Sequence, residues 1–230
     1  MIVKDFEKRY SPKSVSDIVF ADVSSKNLID DVVSGVKPFP LAEGKCGILL
    51  YGVPGTGKSA LAKLLPDAME MARSGQPAWK DYIPVQPGSN GLLMLTKITN
   101  GAMYIPLSGF HNYFVLDEVD NLNEAAMKIL KSVMNTQNCV FILTTNNFQE
   151  IEVGVRNRCH CIPFNAAPVA GWLPLAQRIL GDHGVTGVTT QQLLNVIGTG
   201  NGSARDILDA IMDLILQVKR AQLATARVVV

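Results

Sequence analysis

From residue 52 the chain reads Gly52-Val53-Pro54-Gly55-Thr56-Gly57-Lys58-Ser59. The run fits the pattern Gly-x-x-x-x-Gly-Lys-Ser/Thr, in which backbone N–H groups curl around phosphate oxygens and the lysine neutralises them. The pattern is informative when it joins a strand to a helix. Here the apolar residues 47–51 precede it, and residues 59–71 carry Ala and Leu at helical spacing. The sequence therefore predicts a phosphate-binding loop rather than a Gly-rich turn with an incidental lysine.

A second motif, Asp117-Glu118-Val119-Asp120, follows the apolar run of residues 112–116. Nucleotide sites form at the carboxyl ends of parallel strands, so this position suits a carboxylate that holds Mg²⁺ together with the Ser59 hydroxyl. Successive strand residues point in opposite directions, which would let Glu118 face a water molecule while Asp117 faces the metal. By itself such a cluster is more often a solvated helix start, but its place behind a phosphate loop favours the catalytic interpretation.

Hydrophobic periodicity divides the chain into two parts. Apolar strands alternate with helices in the first part, which predicts an α/β domain over residues 1–166, with a parallel sheet covered by helices on both faces. The strands are expected at residues 47–51, 81–85, 112–116 and 139–145, and the helices at 24–34, 59–71, 92–98 and 123–135. Strand signals stop after Pro168. Helical patterns at residues 169–180, 190–197 and 203–222 then predict a small all-α domain over residues 167–230.

The bulk composition excludes several classes of protein. The 230 residues are 47% hydrophobic and 18% charged, with a net charge of +1, so a global positive field for DNA is absent and any nucleic-acid contact must be local. No apolar run approaches the roughly 18 residues of a membrane span. Charges interrupt the first residues, unlike a secretory signal. We expect a cytoplasmic protein, in the host cytoplasm if a phage encodes it.

The cysteines are not arranged for disulfides or for zinc. They are Cys46, Cys139, Cys159 and Cys161. Cys159-His160-Cys161 supplies at most three ligands, whereas structural zinc sites need four. Reduced thiols associated with strands are the favoured interpretation.

At this point the chain resembles the AAA+ ATPases, and within them the sliding-clamp loader subunits of the replication factor C type, across nearly its whole length. The segment from Lys8 to Lys13, followed by Asp17-Ile18-Val19, is similar to the family's opening and adenine-pocket segment, with Ser11 where arginine is usual. The resemblance implies a P-loop core with a helical lid that binds ATP and Mg²⁺. The residues that it places around ATP are Gly52, Val53, Pro54, Gly55, Thr56, Gly57, Lys58, Ser59, Ala60, Ile18 and Val19.

Three further residues take their roles from this resemblance. Asn146, after the strand Val140–Thr145, resembles the sensor 1 residue that positions the attacking water. Arg158, in Arg156-Asn157-Arg158-Cys159, is similar to the arginine finger that reaches into the neighbouring subunit's site, although a surface arginine in an ion pair is the alternative. Arg205 resembles the sensor 2 arginine of the lid, with a spacing one residue longer than usual.

The resemblance implies a ring of like or unlike AAA+ subunits that acts on a sliding clamp and primer–template DNA in replication, with no membrane partner. The sequence ends just after its lid helix, where clamp-loader subunits usually continue into a collar, so either a collar follows beyond residue 230 or the subunits assemble through their AAA+ modules alone. This difference keeps a second interpretation open, a ring motor or helicase loader that remodels DNA or protein. A third interpretation is an ATP-gated binding subunit with little turnover, but the intact set of Lys58, Asp117, Glu118 and Asn146 argues against it.

Overall fold

A parallel β-sheet forms the centre of the computed structural model, which describes residues 6–41, 44–87, 91–106 and 108–228. In the described residues the sheet has five strands in the order β2-β3-β4-β1-β5, and every neighbouring pair is parallel. The strands are β1 (Gly47–Tyr51), β2 (Trp79–Pro84), β3 (Asn112–Asp117), β4 (Cys139–Thr145) and β5 (Cys159–Pro163). The predicted parallel sheet is confirmed.

Helices cover both faces of this sheet, which is why the central strands β1, β3 and β4 are buried along nearly their whole length. One face packs against α2 (Val23–Ser34) and α3 (Lys58–Ser74). The other face packs against α4 (Leu92–Ala102) and α5 (Glu124–Val133). The helices α1 (Phe6–Tyr10) and α6 (Val153–Asn157) have five residues each, too few for a periodic signal in the sequence.

The helical end of the chain consists of α7 (Leu173–Asp182), α8 (Thr190–Thr199) and the long α9 (Ala204–Val228). These helices share one apolar cluster with Trp172, and Phe6 and Tyr10 of α1 pack into the same cluster. The first helix of the chain therefore packs with the lid rather than with the sheet. The outer ends of the two predicted domains, residues 1–5 and 229–230, lie outside the described residues, and the boundary after residue 166 stays a prediction.

Several element bounds differ from the sequence prediction for local reasons. Strand β2 begins at Trp79 rather than at residue 81, and β5 was not among the predicted strands. Both are edge strands, and half-exposed side chains give them no continuous apolar run. Asn123 precedes α5 as its N-cap instead of joining the helix, because its side chain accepts a hydrogen bond from the Ala126 N–H.

The four cysteines are free thiols, and burial raises their pKa values, that of Cys139 to about 11. None of the described helices is long and apolar enough to cross a membrane.

Candidate nucleotide site

The glycine-rich loop lies between β1 and α3, where the lid touches it. Gly55 has φ +81°, a backbone conformation that residues with a side chain rarely adopt. A Cβ at this position would lie 2.6 Å from Ser203 Oγ. The Ala204 N–H donates to the Gly55 carbonyl oxygen at 2.8 Å. The glycine thus permits a direct contact between the phosphate loop and the first residue of α9.

Lys58, the first residue of α3, is almost fully buried, with 6% of its surface exposed. Its Nζ donates to the carbonyl oxygens of Gly52 at 2.9 Å and Val53 at 2.7 Å. Burial lowers the pKa of Lys58, and the nearby carboxylates of Asp120, Asp117 and Glu118 only partly oppose this effect. The ammonium group is therefore held against the loop by the loop's own carbonyl groups.

Asp117, the last residue of β3, receives three side-chain hydrogen bonds. Ser59 Oγ and Thr144 Oγ1 donate to its Oδ1 at 2.7 and 2.5 Å, and the Tyr82 hydroxyl donates to Oδ2 at 2.5 Å. Burial pushes the pKa of Asp117 upward, but these hydrogen bonds and the charge of Lys63 outweigh it, so the pKa lies below its ordinary value. The structure thus brings the predicted metal residues Ser59 and Asp117 into contact.

Strand alternation through Glu118 was predicted from the sequence, but β3 ends at Asp117 and Glu118 does not continue the strand. Its backbone is left-handed, with φ +61° and ψ +54°, so a turn and not strand alternation sets the direction of its side chain. Its N–H donates to Thr144 Oγ1 at 2.9 Å, and its exposed carboxylate accepts a long hydrogen bond, 3.4 Å, from Asn121 Nδ2. The predicted strand alternation at Glu118 is therefore wrong, although the acid still emerges beside Asp117.

Asn146 directly follows β4, which lies between β1 and β3 in the sheet. Because the strands are parallel, Asn146 emerges at the same edge as the phosphate loop and Asp117. Its side chain is exposed. An amide at this place can both donate and accept hydrogen bonds.

A cavity of about 710 Å³ adjoins the phosphate loop and extends between the sheet domain and the lid. Ile18 and Val19 line one part of it, Thr56, Gly57 and Ala60 a second part, and Trp172, Leu175 and Leu208 the part next to the lid. The residues predicted for the base thus open into one cavity with three residues of the predicted phosphate-binding set. Its apolar walls suit a flat aromatic ring.

Arg158 lies just before β5, at the amino ends of the strands. The phosphate loop and Asp117 lie at the opposite, carboxyl ends. Arg158 donates through its guanidinium to Asn135 Oδ1 and to the Gly154 carbonyl oxygen, both at 2.9 Å. In the described part of the chain it forms hydrogen bonds but no ion pair. Its carbonyl oxygen accepts from the Gly47 N–H at the start of β1, so the length of β1, roughly 16 Å, separates it from the chain's own phosphate loop.

Arg205 is the second residue of α9, next to the Ala204 that contacts the loop, and its side chain is exposed. Sequence reasoning missed two residues that bond to Asp117, namely Thr144 and Tyr82. One signal was available for Thr144, which is a hydroxyl residue near the carboxyl end of a mainly apolar run. Tyr82 carried no such signal.

A lysine-bearing phosphate loop, a carboxylate at the end of β3 and a helical lid define a P-loop nucleotide-binding protein of the AAA+ class. The chain belongs to the family described as "ATPase family associated with various cellular activities (AAA)", whose model matches residues 48–164.

Curated relatives carry the resemblance further. The chain is 25% identical over 187 residues to "DNA polymerase III subunit gamma/tau" of Mycobacterium tuberculosis, which covers 73% of this chain and 32% of the relative. It is 25% identical over 209 residues to "Replication factor C small subunit 2" of Pyrobaculum islandicum, with 90% and 62% covered. It is 26% identical over 214 residues to "Replication factor C large subunit" of Methanothrix thermoacetophila, with 90% and 42% covered. The chain thus spans between about a third and somewhat under two thirds of these relatives.

A solved structure with a similar fold is the RuvB Holliday junction branch migration motor of Thermotoga maritima. Its TM-score is 0.69 at 16% identity, with 91% of this chain and 67% of the RuvB chain covered. The predicted fold class and the resemblance to AAA+ ATPases and replication factor C subunits are confirmed.

Proposed function

We propose that this chain hydrolyses ATP with Mg²⁺ and works as one subunit of a clamp-loader-like ring in DNA replication. The observation that carries the ATPase part is the meeting of Ser59 Oγ and Asp117 Oδ1 at 2.7 Å, next to a buried Lys58. The replication part is supported by the relatives, whose shared length with this chain is partial.

ATP would bind with its base between Ile18, Val19 and the lid, and with its phosphates on the loop. Lys58 Nζ would exchange the carbonyl oxygens of Gly52 and Val53 for phosphate oxygens, which carry the negative charge that a buried ammonium needs. The amino end of α3 adds its partial positive charge.

The residues present fit Mg²⁺. Ser59 and Asp117 offer a hydroxyl and an ionised carboxylate, and magnesium in nucleotide sites takes few protein oxygens together with substrate phosphates. These two residues would hold the ion, which would neutralise charge on the β and γ phosphates.

Glu118 is the candidate for orienting or deprotonating the attacking water, since its carboxylate is exposed at the carboxyl edge of the sheet. Asn146 emerges at the same edge and would hold that water by hydrogen bonds. Arg205, beside the contact between the lid and the loop, would reach the phosphates when the lid closes.

Arg158 would act in the site of a neighbouring subunit, because it lies at the far edge of the sheet from its own phosphate loop. An arginine finger of this kind contributes roughly 10³ to 10⁵ in rate. Among the described residues two of its five N–H groups donate hydrogen bonds, and the other three could bond to a phosphate. A ring assembly follows from this assignment, since an isolated subunit would lack its finger.

The test is steady-state ATP hydrolysis against protein concentration, with and without a sliding clamp and primed DNA. Turnover per subunit should rise with concentration, collapse in Arg158→Ala and Glu118→Gln, and increase with clamp plus DNA. Arg220→Ala, which removes an exposed arginine of α9, is the matched control. Turnover that is independent of concentration and intact in Arg158→Ala would contradict the finger assignment.

A second candidate is a ring motor that remodels DNA or protein. The observation that favours it is the exposure of two aromatic side chains, Tyr104 at 72% and Phe110 at 61%, which a translocating ring could place against its substrate. The motor would be supported by an oligomeric ATPase whose turnover does not change with a clamp. Tyr104→Ala or Phe110→Ala should then abolish remodelling of DNA or protein but leave ATP turnover unchanged.

A further inference from the structure

The Thr144 hydroxyl lies between the two acids of the site. Its Oγ1 is 2.5 Å from Asp117 Oδ1 and 2.9 Å from the backbone nitrogen of Glu118. An ionised carboxylate only accepts hydrogen bonds and a backbone N–H only donates them. The hydroxyl proton therefore points to Asp117, and an oxygen lone pair accepts from Glu118.

The backbone around Thr144 is fixed from both sides. Strand β4 pairs with β3, where Leu116 faces Leu143, so Thr144 follows directly beside Asp117. On the other side Thr144 faces Leu50 of β1. Only 1% of Thr144 is exposed, and a β-branched side chain has few rotamers, so the hydroxyl has little freedom to move.

The hydrogen bond from the Glu118 N–H to Thr144 stabilises an unfavourable backbone conformation. Glu118 adopts the left-handed backbone region, which is unfavourable for a residue with a Cβ and needs surrounding contacts to persist. Its N–H bond to Thr144 is one of these contacts. A valine at position 144 would keep the volume but would leave that N–H without its acceptor.

We propose that Thr144 is a positioning residue that fixes Asp117 and Glu118 relative to each other through a single hydroxyl group. The inference rests on the proposed ATPase function of the site. In the part of the chain that the structure describes, the hydroxyls of Ser59 and Tyr82 bond to Asp117 only, whereas the Thr144 hydroxyl bonds to the Asp117 carboxylate and to the backbone N–H of Glu118. Loss of the Thr144 hydroxyl therefore loosens two residues at the same time: Asp117, the proposed metal ligand, and Glu118, the proposed residue for the attacking water.

The experiment compares Thr144→Val, Thr144→Ser and the control Thr99→Val, whose hydroxyl bonds within its own helix to the Leu95 carbonyl oxygen. The first measured quantities are kcat and KM. The third is the half-saturating Mg²⁺ concentration, determined from the effect of Mg²⁺ on the binding of a fluorescent ATP analogue. Thermal unfolding of each variant reports the fold.

Thr144→Val should lower kcat by about tenfold or more, as loss of a hydrogen bond to a charged group does. It should also raise the half-saturating Mg²⁺ concentration and leave metal-free binding of the analogue unchanged. Thr144→Ser should restore both quantities to within about threefold of wild type, since the hydroxyl is present again. Thr99→Val should behave as wild type.

A folded Thr144→Val with wild-type kcat and Mg²⁺ dependence would overturn the inference, and so would equal losses in the Val and Ser variants. If Thr144→Val does not fold, Thr144→Ala against Thr144→Ser gives the same comparison of hydroxyl absent and present. A wild-type chain that binds the analogue without turnover would contradict the proposed ATPase. In that case the Mg²⁺ dependence of binding still decides for or against Thr144.

Discussion

The hydroxyl of Tyr82 donates a 2.5 Å hydrogen bond to Oδ2 of Asp117, the carboxylate oxygen that Ser59 and Thr144 leave free. Tyr82 lies on the edge strand β2, and Lys63 Nζ stands 4.1 Å from the centre of its ring. The outer strand β2 thus contributes a direct contact to Asp117 at the centre of the candidate site.

We expect Tyr82→Phe to lower ATP turnover about threefold. The bond is charge-assisted, but Tyr82 is partly exposed, so water can replace part of the lost interaction. Steady-state hydrolysis at saturating ATP measures the effect, and Tyr104→Phe, which removes an exposed phenol hydroxyl elsewhere, is the control. Unchanged turnover in Tyr82→Phe would show that Asp117 is held well enough without it.

Gly55→Ala should weaken ATP binding by about tenfold or more, because the new Cβ would meet Ser203 Oγ and displace the lid from the loop. The matched control is Gly35→Ala, whose glycine has a similar positive φ of +78° but no neighbour within 4 Å of the added Cβ. Both variants should lose about 1 kcal/mol of stability from backbone strain. Only Gly55→Ala should lose nucleotide affinity in a fluorescence titration, and an equal loss in Gly35→Ala would contradict the contact argument.

A buried acid anchors the loop before β3. Glu70 is fully buried and accepts hydrogen bonds from the Phe110 N–H at 2.7 Å and the Tyr113 hydroxyl at 2.8 Å, with His111 Nδ1 at 3.3 Å. Burial raises the pKa of Glu70, but these hydrogen bonds outweigh it and hold the pKa below the ordinary 4.5.

A depressed carboxyl pKa stabilises the fold above the unfolded pKa, and this stability is lost as the pH falls through the folded value. Glu70→Gln should therefore lower the free energy of unfolding by about 2 kcal/mol at pH 7. The difference from wild type should shrink below pH 4.5. Urea unfolding at several pH values measures it, and a difference that is constant with pH would contradict the role of the charge.

Asn123→Ala should lower the stability of the chain by about 1 kcal/mol, since it removes the N-cap bond to the Ala126 N–H. Asn123→Ser should keep most of it, because serine also caps helices well. Thermal unfolding measures both changes. ATP turnover of the folded fraction should stay at the wild-type value in both variants, and a loss of turnover would show that α5 takes part in the site.

The sequence predicted those parts of the fold that short-range patterns encode. The phosphate loop with its flanking β1 and α3, the acidic end of β3 and the apolar β4 each carry a local signal. The nearness of Ser59 and Asp117 was expected, because both were predicted to hold one Mg²⁺ at the carboxyl ends of parallel strands, and their role as metal ligands stays a prediction. The role of Arg158 came from family resemblance, and its place at the far edge supports that role without testing it.

Other features depend on pairing between distant segments, which one sequence does not display. Thr144 reaches Asp117 only because β3 and β4 pair in one register, and Tyr82 reaches it only because β2 lies on the other side of β3. The packing of Phe6 into the lid cluster joins the two ends of the chain, and no local pattern predicts it.

The bond between the Ala204 N–H and the Gly55 carbonyl oxygen joins α9 to the phosphate loop at the helix's first residue. Helix α9 has 25 residues and is therefore about 37 Å long. Because α9 packs with α7 and α8 in one apolar cluster, the lid would turn with it as a unit, and a tilt of about 10° at the loop would move the far end of α9 by about 6 Å. A small adjustment around the phosphates would thus become a large displacement at the other side of the lid.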